Sequence, residues 1–406
     1  MFSKNIGFER YLPKEKFNKY KNLNKKLLVN SIKKAKENLK LKKDVFYSFN
    51  KEFKLNIRFN ELKKFKKFKR IVIIGMGGSI LGAKAIDNFL KKKIKKEVIF
   101  INNLDFENIS KIKKIKNIKN SLFFLISKSG NTIEVLSIIN SIIKKANFNK
   151  NNTLIITENN QNQLNKFAQS LKIKVIKHRN YIGGRYSVFS ETALIPCYFM
   201  GINIFKLKKN VLNFLYKDKS ILVKNLIDLA KIYNSNKINS LVLLNYCPGL
   251  EHFLLWCQQL IAESLGKKGK GILPMVSIGP RDHHSLLQLY LDGPKDKFFY
   301  IFSTRESKKN NVVKNLFKST LNNSNMYKIL RNQKKAMTSI LKNKKIPFLS
   351  LEIKKKDEEA LGELFSYFIY ETIFISENLR INPFNQPAVE QLKNITKRNL
   401  FKMSRK

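Results

Sequence analysis

The sequence predicts an α/β protein in which two parallel sheets are flanked by helices. Short, continuous apolar runs rich in β-branched residues alternate with stretches of helical length, from 71–74 through to 347–351. A continuous rather than alternating apolar run indicates a strand buried on both faces, which is typical of parallel sheets. The runs form two groups that separate near 205 to 235, so we expect two such domains.

The elements follow in chain order. Lysine-rich sequence with apolar residues at helical spacing predicts a helical N-terminal segment over 1–60, carried by Leu23, Leu27, Leu28 and Ile32. The first domain, 61–205, is expected to contain strands at Ile71–Ile74, Val98–Ile101, Leu122–Ile126, Leu154–Ile156 and Lys174–Ile176. The second domain, 206–380, is expected to contain strands at Leu241–Leu244, Phe298–Phe302 and Pro347–Leu351. A basic helical segment over 381–406 ends the chain.

The charge of the chain is extreme, with 80 Lys and Arg against 29 Asp and Glu and a net charge of +51. The lysines are spread along the sequence and lack a zinc-finger, bZIP or RNP signature, so we expect a solvated basic surface and no dedicated nucleic-acid binding. Such a surface would raise the local concentration of a dianionic metabolite. The 43% of hydrophobic residues exclude a wholly disordered chain.

Cysteine usage and hydropathy indicate the compartment. The three cysteines, Cys197, Cys247 and Cys257, form no C-x-x-C pair, which favours a reduced, cytoplasmic setting. The longest apolar stretch, 193–205, is interrupted by Pro196 and Asn203 and is shorter than the about 20 residues of a membrane-spanning helix. We therefore expect no membrane association, and the polar start of the chain has no signal-peptide core.

Two loops that follow predicted strands have the composition of a phosphate site. The first contains Gly77, Gly78 and Ser79, and the second is Ser127-Lys128-Ser129-Gly130-Asn131-Thr132. Glycines let the backbone approach an anion, and hydroxyls at a helix N-terminus bind one. The dinucleotide fingerprint fails because Ile80 stands where its third glycine should be, and Gly266-Lys267 lacks the Ser or Thr of a Walker loop.

Four further segments carry chemically useful side chains. Arg185 follows two glycines, which suits an oxyanion. Glu263 is expected in the last turn of a helix, where the dipole opposes a carboxylate unless a base is required there. His284 is one of only four histidines, so no histidine cluster for a metal is expected. Lys393 follows the proline-bounded turn at 383–387. Taken alone, each of these four residues has a simpler interpretation without function: a surface glutamate, an ion-pairing arginine, a loop histidine or a solvated lysine.

In chain order, these segments resemble the signature segments of the glucose-6-phosphate isomerase family, over about residues 70–395. The two most specific segments are Gly-Gly-Arg-Tyr-Ser-Val-Phe-Ser, which starts at Gly183, and Asn-Pro-Phe-Asn-Gln-Pro-Ala-Val-Glu, which starts at Asn382. The resemblance implies two sugar-isomerase domains and reversible conversion of glucose 6-phosphate to fructose 6-phosphate in glycolysis and gluconeogenesis. It also implies that no metal or organic cofactor takes part.

The resemblance also implies roles for individual residues. Glu263 matches the base that moves a proton between two carbons, Arg185 the group that stabilises the enediolate, and His284 and Lys393 the residues that open the sugar ring. Glu134 matches a residue oriented toward that histidine, and the family histidine serves the neighbouring subunit, so a homodimer is implied. The expected phosphate ligands are Ser79, Ser127, Ser129 and Thr132, supported by Gly77 and Gly78.

Departures from the family pattern leave alternatives open. Ser129 replaces the usual threonine, Asn131 a common threonine, and His283 the usual glutamine. A second imidazole beside His284 could admit another sugar, so an isomerase that also accepts mannose 6-phosphate is one alternative. A non-catalytic sugar-phosphate-binding regulator is another. A glutamine-dependent amidotransferase is disfavoured because the chain lacks an N-terminal cysteine.

Overall fold

The computed structural model describes residues 4–20, 25–305 and 325–403, which form two five-stranded sheets with helices around them. This confirms the predicted α/β class. In chain order the strands are β1 (Ile6–Tyr11), β2 (Arg70–Gly75), β3 (Glu97–Ile101), β4 (Leu122–Ile126), β5 (Thr153–Glu158), β6 (Lys174–His178), β7 (Ser240–Tyr246), β8 (Leu273–Ile278), β9 (Lys297–Thr304) and β10 (Phe348–Ile353).

The first sheet has the order β3-β2-β4-β5-β6, and all its strands are parallel. These strands coincide with the apolar runs predicted between 71 and 176. The central strands β2 and β4 are buried almost throughout, as expected when helices cover both faces. The chain adds β3 on one side of β2 and then crosses to place β4 on the other side. This change of direction opens a crevice at the carboxyl ends of β2 and β4.

The second sheet has the order β1-β10-β9-β7-β8. Strands β7 to β10 are parallel, whereas β1 pairs antiparallel with β10. The sequence predicted β7, β9 and β10 but missed the two edge strands. β1 contains Gly7, Glu9 and Arg10, and β8 contains Pro274. Edge strands tolerate such residues because one side of the backbone is unpaired, so neither strand forms a continuous apolar run.

The N-terminal segment therefore differs from the helical one that we expected. Its first element is strand β1, while Leu27, Leu28 and Ile32 do lie in a helix, Lys25–Asn38. Leu23 is outside the described residues. Because β1 completes the second sheet, the start of the chain packs with the second domain. The domain limits at 60, 205 and 380 stay a prediction.

The helices fill the space around and between the sheets. In chain order they are α1 (Lys14–Phe17), α2 (Lys25–Asn38), α3 (Phe59–Leu62), α4 (Gly78–Phe89), α5 (Phe106–Lys114), α6 (Ile133–Ala146), α7 (Gln163–Ser170), α8 (Glu191–Phe199), α9 (Ile204–Lys208), α10 (Lys219–Ser235), α11 (Glu251–Leu265), α12 (Leu287–Asp292), α13 (Met326–Asn343), α14 (Glu358–Asn378) and α15 (Pro387–Met403). Helix α14 is buried along nearly its whole length, as its all-round apolar sequence requires.

Two helices connect the sheets and position the site. Helix α4 follows β2 of the first sheet, α11 follows β7 of the second, and the two pack against each other. A single apolar cluster includes residues of both sheets, with Trp256 on α11 fully enclosed. The N-terminus of α4 therefore lies beside the C-terminal half of α11.

The C-terminal helical segment is present as α15, which confirms the prediction. Residues 390–400 of this helix are all exposed, including Leu392 and Ile395. The three cysteines are buried. Within the described ranges, no helix is both long enough and apolar enough to span a membrane.

Candidate active site

The glycine-rich and serine-rich loops lie side by side at the carboxyl edge of the first sheet. Gly75 at the end of β2 pairs in register with Ile126 at the end of β4, so the loops after them leave the same edge. Each loop leads into a helix, α4 or α6, whose first N–H groups have no partner within the helix. Two positive helix ends therefore meet at one crevice, which suits an anion.

The glycine-rich loop depends on contacts that leave no room for a side chain. Gly77 has a φ of 51°, in the left-handed region, and a Cβ there would lie 2.9 Å from the Gln259 Nε2. A Cβ on Gly78 would lie 2.1 Å from the carbonyl carbon of Gly184. The start of α4 is thus in direct contact with the 3-10 helix Gly184–Phe189, which contains the predicted arginine.

The serine-rich loop folds its hydroxyls into one turn. The hydroxyls of Ser127 and Thr132 are 2.7 Å apart, and the Ser127 Oγ accepts the Gly130 N–H at 3.1 Å. The Ser129 Oγ accepts the amide two residues further on at 3.3 Å. Three of the four predicted phosphate ligands therefore lie together, and the fourth, Ser79, is in the first turn of α4.

The Arg185 guanidinium is buried, with 2% of its side chain exposed, and it donates hydrogen bonds in every direction. Its Nη1 donates to the Glu263 Oε2 at 2.9 Å and to the Gln386 Oε1 at 2.7 Å, while its Nε donates to the Ser264 Oγ at 2.9 Å. Its Nη2 donates to two backbone carbonyls of the segment before α15, at 2.6 and 3.0 Å. One side chain thus joins the first sheet's loop, α11 and the C-terminal segment.

Glu263 lies in the last turn of α11, as predicted. Its Oε2 accepts from Arg185, and its Oε1 accepts from the Gln259 Nε2 at 2.8 Å. The ion pair offsets the repulsion between a carboxylate and the negative end of a helix. A quarter of the Glu263 side chain remains exposed, so the oriented carboxylate is accessible to a small molecule.

A buried hydrogen-bond network supports this pair. The Tyr186 hydroxyl lies 2.8 Å from the Ser264 Oγ and donates to the Pro383 carbonyl at 3.1 Å. Burial raises the pKa of Tyr186, which keeps the hydroxyl neutral and able to donate. The Trp256 indole N–H donates to the Arg185 carbonyl at 3.1 Å. The backbone and the guanidinium of Arg185 are therefore both fixed.

Two lysines extend the positive charge near Arg185. Burial, together with the charge of Arg185, lowers the pKa of Lys267 to about 8, and its Nζ donates to the Asn382 carbonyl at 2.5 Å. The pKa of Lys128 is also lowered, chiefly by burial, although Glu158 opposes the shift. A bound dianion would favour the charged form of both lysines.

The histidine pair lies on the other sheet. His284 is exposed and ends the 3-10 helix Arg281–His284, which follows edge strand β8. The neighbouring His283 has its Nε2 2.5 Å from the Tyr246 hydroxyl, so this imidazole bonds to its own sheet. Burial, then the charge of His284, lowers the pKa of His283. Among the described residues, no hydrogen bond or ion pair joins His284 to Glu263.

Lys393 and Glu134 also lie apart from the central pair. The Lys393 Nζ pairs with Glu390 on the same helix at 2.9 Å, and half of its side chain is exposed. Glu134 is exposed in the first turn of α6. The described contacts include none from either residue to Arg185 or Glu263. The structure thus brings together the predicted base, arginine and phosphate loops, but not the predicted ring-opening residues.

Sequence reasoning missed three residues of this cluster. Gln259 lies one turn before Glu263 on the same helix face, a spacing that was visible in the sequence. Gln386 was inside a quoted motif but had no assigned role. Lys267 carried no signal among so many lysines. In the described part of the chain, no three His, Cys, Asp or Glu side chains are placed to hold a metal ion.

Comparison with known proteins identifies relatives of this chain. Residues 29–276 match the family model described as phosphoglucose isomerase. A glucose-6-phosphate isomerase from Methanocaldococcus jannaschii is 33% identical over 366 residues, covering 87% of this chain and 88% of that protein. A glucose-6-phosphate isomerase from Campylobacter jejuni is 33% identical over 349 residues, covering 81% and 84%.

Solved structures share the fold. A hypothetical protein from Thermus thermophilus superposes with a TM-score of 0.80 at 21% identity, over 97% of this chain and all of that one. A glucose-6-phosphate isomerase from Chlamydia trachomatis gives a TM-score of 0.71 at 17% identity, over 94% of this chain and 74% of that one. With the family match over more than half of its length, the chain belongs to the phosphoglucose isomerase family.

Proposed function

We propose that this enzyme interconverts glucose 6-phosphate and fructose 6-phosphate. The observation that carries the proposal is the ion pair of Arg185 and Glu263, 2.9 Å apart, beside the glycine-rich loop, whose Gly78 packs against the backbone of Gly184 and Arg185. Moving a proton between carbons beside a carbonyl requires a base at carbon and a cation at the developing oxyanion. Family membership supports the same reaction.

The substrate phosphate binds between the two loops. Ser79, Ser127, Ser129 and Thr132 donate hydroxyl hydrogen bonds, and the first N–H groups of α4 and α6 add two helix ends. The left-handed Gly77 and the close-packed Gly78 keep the backbone near enough to contact the anion. Lys128 and Lys267 contribute positive charge.

Glu263 transfers the proton. In the open-chain aldose it removes the proton from C2, the electron pair forms the C1–C2 double bond, and the charge moves to O1. Proton exchange between O1 and O2 of this cis-enediolate then allows Glu263 to return its proton to C1 as the C2 carbonyl forms. Arg185 stabilises the anion with a positive charge that its hydrogen bonds to the protein hold in place beside Glu263.

Ring opening belongs to His284 and Lys393, with Glu134 orienting the histidine. His284 is exposed on the second sheet and makes no described contact with Glu263 of its own chain. We therefore place it in the active site of a second subunit, in a homodimer. α15 starts directly after Gln386, an Arg185 ligand, which puts Lys393 within two turns of the site. The reaction requires no cofactor, and the buried thiols of Cys197 and Cys257 suit the cytoplasm.

The test is isomerisation of fructose 6-phosphate by the purified protein, coupled to oxidation of the glucose 6-phosphate formed. Glu263→Gln should retain the fold and sugar-phosphate binding but lower turnover about a hundredfold or more, because the base is lost. Glu251→Gln, at the exposed start of the same helix, is the matched control and should keep wild-type turnover. Near wild-type turnover in Glu263→Gln would remove Glu263 from this role.

A further inference from the structure

A second cavity lies apart from the two phosphate loops. Its volume is about 920 Å³, and it opens between the segment 49–59 and helices α8 and α9. Its apolar floor includes Phe49, Phe53, Ile57 and Leu194, all buried or nearly so. This volume is in the range of small-molecule sites. None of the residues assigned above to isomerisation lines it.

The rim of this cavity carries charge of one sign. Among the described residues that line it there is no Asp or Glu, whereas there are six cations: Lys51, Lys54, Arg58, Lys206, Lys208 and Lys209. Of these, Lys209 is already paired with Glu359, outside the cavity. The remaining positive charge would attract an anion and repel a cation.

Lys208 is the half-buried cation of the cavity. Its Nζ donates to the Asn50 carbonyl at 3.1 Å and lies 5.0 Å from the centre of the Phe53 ring. Burial and the nearby charge of Arg179 lower the pKa of Lys208 to about 8, and Glu191 opposes this only in part. Glu191 is ion-paired with Arg179. In the described structure Lys208 has no carboxylate partner of its own.

We propose that this cavity binds a single-chain amphiphilic anion, with its tail against the apolar floor and its carboxylate on Lys208. The apolar floor removes a hydrocarbon tail from water. The head group supplies the negatively charged partner that half-buried Lys208 lacks among the described residues. Phe205 at the rim, 78% exposed, adds apolar surface where the tail would leave the protein. A purely polar sugar phosphate would leave this apolar floor in contact with water.

The probe for this site is dodecanoate, titrated below its critical micelle concentration into the full-length protein and followed by calorimetry. We expect saturable binding, weakened about tenfold or more by Lys208→Met, which keeps the length of the side chain but removes its charge. Lys113→Met, at an exposed position on α5, is the matched control and should bind as the wild type does. Affinity should fall above about pH 8, as Lys208 loses its proton.

A second variant keeps the proposal testable if Lys208→Met fails to fold. Leu55→Trp fills part of the cavity from a half-buried position and should abolish binding while isomerase activity is retained. Equal affinity for dodecyl maltoside or dodecyltrimethylammonium would overturn the anionic specificity. Unchanged dodecanoate binding in both variants would overturn the site. Binding only on dilution, as subunits separate, would show that a second copy of the chain covers it instead.

Discussion

The guanidinium of Arg185 contacts two parts of the chain that are distant from it in sequence. Its hydrogen bonds reach Glu263 and Ser264 on α11 and Gln386 before α15. Burying a charge costs several kcal/mol unless it is paired and all its donors are satisfied, and the contacts of Arg185 meet both conditions. The same side chain therefore fixes the site and is proposed to stabilise the reaction intermediate.

Arg185→Lys should lower turnover more than it weakens substrate binding. A lysine has three donors around one nitrogen, whereas the arginine fork reaches five acceptors at fixed angles, so the variant no longer holds its charge beside the intermediate and leaves buried carbonyls unpaired. Steady-state kinetics measure the effect. Arg179→Lys, which alters a second ion-paired arginine outside the site, is the control and should keep turnover. If only KM rose in Arg185→Lys, the role at the oxyanion would be wrong.

Glu371 is a buried carboxyl of α14 that makes no contact with the site. The Tyr300 hydroxyl donates to its Oε1 at 2.8 Å. Burial raises the pKa of Glu371 to about 7, although the tyrosine hydrogen bonds oppose this. The folded protein thus favours the protonated form, while the unfolded chain ionises at the ordinary pKa. The stability that protonated Glu371 contributes is therefore fully present below its ordinary pKa and is lost as pH rises through about 7.

Glu371→Gln should flatten this dependence. The amide stays neutral at every pH, so the free energy of unfolding should no longer fall by the roughly 3 kcal/mol that a shift of this size implies. Urea unfolding of both proteins at about pH 5 and pH 8 measures it, and the variant should gain stability only at the higher pH. Parallel pH dependence in the two proteins would show that Glu371 is ionised in the fold.

At the scale of elements, the sequence was most informative where strands are buried on both faces. β2 and β4 are continuous apolar runs because helices cover the whole strand. β1 and β8 could not be recognised because these two edge strands are interrupted, β1 by charged residues and β8 by a proline. Similarly, the phosphate loops could be read from glycines and hydroxyls beside strand ends. The positions of His284 and Lys393 could not, because they depend on how separate elements and subunits pack.

Helix α4 packs directly against the 3-10 helix before α8. A Cβ on Gly78 would lie 2.1 Å from the Gly184 carbonyl carbon, which is backbone and cannot rotate away. Gly78→Ala should therefore push the two elements apart and lower both turnover, about tenfold or more, and the melting temperature. Gly183→Ala is the control, since its Cβ would meet only the Tyr186 ring at 3.5 Å.

Thermal unfolding and the coupled isomerase assay measure both variants. Gly183→Ala should stay close to the wild type, because a contact at 3.5 Å is an ordinary one. Equal effects of the two substitutions would mean that any methyl group in this region is disruptive. The packing of α4 against Gly184 would then not be what positions the phosphate loop.

At the scale of the whole molecule, two features point beyond one chain. The net charge of +51 gives a long-range attraction for a dianionic sugar phosphate, which salt should weaken. The exposed helix α15 and the exposed His284 leave the proposed ring-opening groups at the surface. The proposed dimer, in which a neighbour supplies His284, accounts for described contacts within one chain that join Arg185 and Glu263 but not the histidine.

Subunit exchange between two inactive variants tests this arrangement. His284→Ala and Glu263→Gln should each have little activity alone. In a mixed dimer one site collects both defects and the other collects neither, so each mixed dimer regains one of its two sites. Random exchange of an equal mixture makes about half of the dimers mixed, and activity should approach about a quarter of the wild-type value. A mass tag on one variant measures the exchange, and His283→Gln, at the adjacent position, should keep glucose 6-phosphate activity. No recovery despite confirmed exchange would place His284 in its own subunit's site or outside catalysis.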